Sequence, residues 1–278
     1  MTPLSQTPGD LTLTSRPLGY AERTDSQARW WLRGDPVATA VFNALSATFP
    51  EGERFFIETV VAFKDKVQEP LRGQVKTFVR QEALHTREHL AFNRQSSDHY
   101  DLSSLEARTV HRINVSRGKH PVAQLASTTA LEHFTAIFAH VLLTQPRHLS
   151  GAPEEIARLW RWHSVEEIEH KAVAFDTYMA VMAEASPFKR WKVRTLVATI
   201  SYYHFLRNLS RNVAELLRQD GIDWRTRRWS IYRQLFLSPG LFGAILPHAL
   251  AYFLPGFHPW KLKDRALIAE TDAALALA

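Results

Sequence analysis

The fold class predicted by the sequence is all-α: a ferritin-like four-helix bundle with additional C-terminal helices. Three observations predict it. From Pro36 onward no stretch alternates apolar and polar residues as a half-buried strand would, whereas long segments carry apolar residues at helical spacing. Those segments are separated by short Pro or Gly punctuation, which implies antiparallel neighbours. One connection is long and polar, and it falls between the second and third bundle helices, as in two helical hairpins joined by a crossover.

The elements follow in order. Residues 1–30 are rich in Thr, Ser, Pro and Gly without apolar period, and read as a mobile tail. Helices are expected over 36–48 and 51–68, then a break at Glu69–Pro70 and a helix over 71–94. A polar crossover with a short helix runs to His120. Helices over 121–144 and 153–184 flank the break at Pro146, Gly151 and Pro153, and another covers 188–218. A basic turn leads to a helix over 226–237 and a Pro-punctuated apolar tail. Residues 31–278 read as one helical domain, with a bundle core over 51–184 and a basic and apolar extension over 187–265. No internal repeat is present.

Composition narrows the function classes. The chain of 278 residues is 45% hydrophobic and 11% aromatic, too apolar for a disordered protein. Its cysteine count is 0, which excludes disulfides, thiolate zinc sites and cysteine nucleophiles. Histidine is abundant at 13. The first 30 residues lack the apolar core of a signal peptide, so the expected location is cytoplasmic.

Side chains at i, i+3, i+4 and i+7 share one helix face. In VKTFVRQEALHTREHLAFN, Glu82, His85 and His89 fall on the face of Val75, Phe78, Val79 and Phe92, while Lys76, Arg80 and Arg87 lie opposite. In LWRWHSVEEIEHKAVAF, His163, Glu167 and His170 share a face with Ile156, Leu159, Trp160 and Ala174, and Arg158, Glu169 and Asp176 take the other. Glu132 stands alone in the apolar STTALEHFTAIFAHVLL. In the first bundle helix, Glu58 sits with Glu51, Arg54 and Asp65 as a solvated pair would, whereas Glu53 sits with Phe49, Phe56, Ile57 and Val60. The face argument favours Glu53. Ionisable groups aimed at a core are costly unless paired or bound to metal. Two lone glutamates and two Glu-x-x-His pairs form the ligand set of di-iron and di-manganese carboxylate bundles. The competing reading is a set of Glu–His ion pairs in the core.

At these residues the chain resembles the bacterial family of predicted metal-dependent hydrolases, through FPEGERFF (49–56), FVRQEALHTREH (78–89), ALEHFTA (130–136), WHSVEEIEHKAVAFD (162–176) and GFHPW (256–260). The resemblance covers most of residues 36–265 and also favours Glu53 over Glu58. The metal pattern is similar to that of the di-iron arylamine N-oxygenases, which carry a seventh ligand, a histidine four residues before the last Glu-x-x-His. Here that position is His163. His89 departs from their set, either as an eighth metal contact or as a partner orienting a ligand, the second being favoured. The candidate metal residues are therefore Glu53, Glu82, His85, His89, Glu132, His163, Glu167 and His170.

The expected cofactor is a pair of iron ions, with Mn or Zn as alternatives. The expected chemistry is an O2-dependent oxidase or oxygenase reaction on a small apolar substrate, with O2 as co-substrate and an external electron donor. A dry helical core suits it, and no acid or base outside the ligands is evident. The alternative is a two-metal hydrolase, and a third reading is a non-catalytic iron-binding protein. Thr86 and Thr135 lie on the metal-facing sides and are expected either to line a pocket or simply to pack. Between Pro187 and Arg233, 11 Lys+Arg stand against 3 Asp+Glu, and Gln234 to Trp260 carries no charge. Pro239, Pro247 and Pro255 argue against a regular spanning helix there. The basic, Trp-flanked segment is suited to peripheral contact with an anionic membrane. No nucleic acid is expected.

Overall fold

A computed structural model describes residues 7–24, 26–237 and 240–277, and within them every regular element is helical. Pro239 lies outside the described residues. Helix α1 (Pro36–Ser46) starts where Asp35 accepts from the Val37 and Ala38 amides at 2.9 and 3.1 Å, with Pro36 in the first turn. The bundle itself uses α2 (Phe49–Val61), α3 (Leu71–Ser96), α5 (Pro121–Thr144) and α6 (Glu154–His170), with α7 (Val173–Val181) continuing α6. Helix α2 packs on α3, α3 on α6, α6 on α5 and α5 on α2, so the four enclose one interior. The polar crossover forms α4 (Ser103–Arg117).

Three expectations about the elements are corrected. The helix predicted over 153–184 is interrupted at Lys171–Ala172, directly after His170, without any Gly or Pro. Lys171 is only 3% exposed; its ammonium lies 4.1 Å over the Trp260 ring, donates to the Leu262 carbonyl at 3.0 Å and pairs with Asp264. A second chain segment is thus bonded to the interruption, and sequence periodicity does not register it. The helix predicted over 226–237 is α9 (Trp224–Tyr232) followed by a five-residue π-helical turn, Arg233–Leu237. The described part of the 1–30 tail is not loose. Leu13 and Tyr20 are buried, the Arg16 amide donates to Glu166 at 2.7 Å and the Thr14 amide to Glu169 at 3.0 Å.

The extension covers the bundle. Helix α8 (Pro187–Gln219) packs on α1, α4 and α5, α10 (Leu241–Ala251) packs on α5, and α11 (Ala266–Leu277) packs on α6. The GFHPW motif docks on α7, where His258 Nε2 donates to Asp176 at 3.0 Å. Part of the basic segment is inward-facing: Arg194 is 4% exposed and donates to the carbonyls of Tyr252 and Leu254 at 2.6 and 3.1 Å. Among the described residues no helix is long and apolar enough to cross a membrane.

Candidate metal centre

Glu53 on α2, Glu82 and His85 on α3, Glu132 on α5, and His163, Glu167 and His170 on α6 are brought together in the bundle interior, each no more than 5% exposed. Ligand-type atoms of Glu53, His85 and His163 lie within 4.8 Å of one another. The same holds for Glu82, His85 and Glu167, and for Glu82, Glu132 and His170. Glu82 and His85 recur between triplets, so the three form one continuous cluster. Glu58 is exposed and pairs with Arg117 at 2.7 Å, leaving Glu53 as the glutamate that α2 turns inward.

The partners of each imidazole decide where its free nitrogen points. His85 Nε2 donates to Glu166 at 3.1 Å, leaving Nδ1 3.7 Å from Glu167 and 3.9 Å from Glu82. His170 Nδ1 donates to the Gln81 carbonyl oxygen at 3.0 Å, which is oriented because the Gln81 amide donates to Glu169 at 2.9 Å and to the Thr14 carbonyl at 3.1 Å. His170 Nε2 then faces Glu82 at 3.1 Å, Glu132 at 3.5 Å and Glu167 at 3.6 Å.

His89 belongs to none of the three triplets and lies behind His163, where a partner orienting a ligand would sit. The Ser46 hydroxyl donates to Asn93 at 2.7 Å, so it must accept from His89 Nδ1 at 2.9 Å. His89 Nε2 is then an acceptor for His163 Nδ1 at 2.8 Å. Burial first, and then His163 and His85, hold the His89 pKa well below the ordinary value, in keeping with a neutral ring. The chain Ser46–His89–His163 leaves His163 Nε2 unprotonated 3.0 Å from Glu167 Oε1. Two lone pairs face each other there, a contact that a cation relieves. His89→Ala is therefore expected to weaken metal affinity about 10–100-fold without abolishing stoichiometric binding, measured by competition against a chelator. Loss of all metal would instead place His89 among the ligands.

Whether cations fit is tested by the orphaned polar atoms. Glu82 and Glu132 through both oxygens, Glu53 Oε1, Glu167 Oε2, His85 Nδ1 and His170 Nε2 are buried without a hydrogen-bond partner among the described residues. Orphans of this kind are rare and call for an explanation. All of these belong to the cluster and are donor atoms of the type that hard and borderline cations take. Four carboxylates and three neutral imidazoles carry a formal −4, which two divalent cations neutralise.

The electrostatics agree. Burial, and then the Glu82 charge, push Glu53 and Glu132 well above the usual carboxylate range. Burial would raise Glu82 and Glu167 as well, but His170, joined by His85 at Glu82, outweighs it and holds both low. Burial would lower His85 and His170, yet the glutamates around them raise both well above the ordinary imidazole value. Burial and neighbouring charge thus pull the glutamates of one pocket in opposite directions, as carboxylates that share a buried site do.

Sequence reasoning missed the outer layer. Glu166 and Glu169 are fully buried, although Glu169 was expected on the solvent face. Arg16, at 2.6 Å from Glu169, supplies the countercharge from the N-terminal segment. The available signal was that neither glutamate has a Lys or Arg three or four residues away on its helix. Thr86 is likewise a support, donating to Glu53 Oε2 at 2.9 Å.

Above the cluster, a cavity of ≈ 100 Å³ has Glu53 and Glu167 in its lining, with Phe49, Phe55, Phe56 and Phe134 around them. Thr135 also lines it, its hydroxyl donating to the Glu132 carbonyl at 3.0 Å. A family model described as predicted metal-dependent hydrolase matches residues 20–263. No curated protein and no solved structure matches the chain.

Proposed function

The chain belongs to the family of predicted metal-dependent hydrolases, and from that premise we propose a two-metal hydrolase whose substrate is small enough to enter the phenylalanine-lined cavity. The observation that carries the metal part is the set of orphaned donor atoms, which makes no sense as a finished hydrogen-bond network. Glu53, His85 and His163 would hold one cation and Glu132 and His170 the other, with Glu82 and Glu167 between them. Two bound divalent cations would supply Lewis acidity and bring a water's pKa near neutrality.

The protein's own groups do the rest. Glu166, Gln81 and His89 fix the rings of His85, His170 and His163 so that one nitrogen of each points inward. Thr86 holds one oxygen of Glu53 and leaves the other free. The phenyl rings exclude bulk water and orient an apolar group against the glutamate floor.

A second reading, oxygen-dependent oxidation with two irons and an external electron donor, is favoured by one observation. The cavity lining contains Glu53 and Glu167 but no other acid, and no histidine, to serve a hydrolytic leaving group. The test is metal analysis of protein from cells supplied with Fe, Mn and Zn, followed by ester and phosphoester panels under nitrogen and oxygen uptake with a reductant. Turnover under nitrogen supports hydrolysis. Oxygen uptake coupled to substrate oxidation moves the conclusion to the second reading. Protein without stoichiometric metal sinks both.

A further inference from the structure

The cavity over the cluster is built from five helices. Helix α4 contributes Thr109, Arg112, Ile113 and Ser116, at i, i+3, i+4 and i+7. Helix α8 contributes Ser201, Phe205 and Asn208, again along one face. Helices α2 and α5 supply the phenylalanines and the glutamate Glu53, and α6 supplies Glu167. The interior end is acidic and the walls are aromatic, but the α4–α8 side carries a cation.

That cation has no counter-ion. Other inward-leaning arginines are tied down: Arg16 to Glu169 and Asp272, Arg29 to Asp220, Arg108 to the Asn212 side chain, Arg194 to two carbonyls. Arg112 is half-buried, and among the described residues its guanidinium makes no hydrogen bond or ion pair. Asn208 lines the same cavity and is half-buried. The neighbouring ionisable group on α8 is His204, whose pKa is lowered by burial and then by Arg112. A half-buried guanidinium without a protein partner is open to a ligand, and a planar anion is the partner its fork fits.

Gly52 adds an independent sign of reserved space. It lies inside α2, where glycine costs about 1 kcal/mol against alanine. A Cβ there would meet nothing within 4 Å, and the residue lines the cavity.

We infer that this cavity binds a short amphiphile, its anionic head, a carboxylate, held by Arg112 and Asn208 and its apolar body lying between the phenylalanines against Glu53 and Glu167. The inference rests on the cavity being the substrate site of the proposed metalloenzyme. Size limits the body: a cavity of about 150 Å³ holds a benzene, and this one is ≈ 100 Å³. Short-chain monocarboxylates fit, and long fatty chains do not.

Calorimetry on the metal-loaded protein tests it, with propanoate, butanoate, propyl phosphate and neutral propanol as probes and metal content measured on the same samples. Arg112→Gln is expected to weaken butanoate binding about 10–100-fold, the range for losing a hydrogen bond to a charged group. Propanol binding should be unchanged by that variant. Gly52→Leu, whose side chain enters open space, is expected to abolish binding of every probe without lowering the melting temperature by more than a few degrees. Tighter binding of propyl phosphate than of butanoate, still lost in Arg112→Gln, keeps the anionic site and makes its head group a phosphate. Equal butanoate binding in wild type and Arg112→Gln overturns the inference, because the carboxylate would then be held by the metals alone. Absence of metal in the wild-type sample is the separate failure of the metalloenzyme reading.

Discussion

Glu82→Ala is expected to strip the protein of both cations, whereas Glu132→Ala leaves about one of about two per chain. The difference follows from where each side chain sits. Glu82 belongs to two of the three triplets, with His85 and Glu167 on one side and with Glu132 and His170 on the other. Both of its oxygens are orphaned, so both are available as donors. Glu132 belongs only to the triplet with Glu82 and His170, and its removal leaves Glu53, His85 and His163 intact. Elemental analysis of the two variants beside wild type, with circular dichroism to confirm helicity, reads the result directly. Activity should be lost in both, since a two-metal reaction needs both positions. Equal metal content in all three proteins would reduce the cluster to core ion pairs.

Helix periodicity was enough to find the seven residues that gather in the buried cluster and insufficient to find the layer behind it. Glu53, Glu82, His85, Glu132, His163, Glu167 and His170 all share faces with large apolar residues, and a face is a local property that spacing reveals. Glu166 and Glu169 are buried for a different reason: residues 14–16, about 150 positions away, lie along α6 and satisfy them. The local pattern of α6 shows only that neither glutamate has a Lys or Arg three or four residues away on its own helix, not which distant segment satisfies them. The Lys171–Ala172 interruption is similar, since its bonds run to Leu262 and Asp264. His89 shows the remaining limit. It shares the face of Glu82 and His85, yet one further turn along α3 carries it past the cluster to Ser46 on α1. The face identifies inward-pointing residues but not how far along the axis the cluster extends.

The outer layer has a consequence for how the site is held. Every imidazole of the cluster is oriented by a group that is itself fixed: Glu166 by the Arg16 amide, Gln81 by Glu169 and the Thr14 carbonyl, His89 by Ser46 and Asn93. Such supports keep ligand geometry rigid and are a large part of a metal site's affinity. Two of the three chains of support run into residues 14–16, so the N-terminal segment is part of the metal centre's architecture.

Stability provides the second large effect, and its sign should reverse with metal. With a chelator present, wild-type protein keeps four glutamates in a dry interior, two of which burial and neighbouring charge push well above the usual carboxylate range. Replacing such buried ionic groups by apolar ones of similar volume is often neutral or stabilising by about 1–4 kcal/mol. Glu132→Leu, on the otherwise apolar α5, is therefore expected to melt at or above wild type under chelation. With metal at 1,000 times its dissociation constant, each lost site forfeits about 4.1 kcal/mol of linkage stabilisation. Glu132→Leu should then melt below wild type, since it lacks at least one site. Thermal unfolding of both proteins with chelator and with saturating divalent metal gives four curves, and the expected result is that their order crosses. Were Glu132→Leu less stable by the same margin in both conditions, Glu132 would be a packing element with a satisfied proton, and the assignment of its oxygens to a cation would fail.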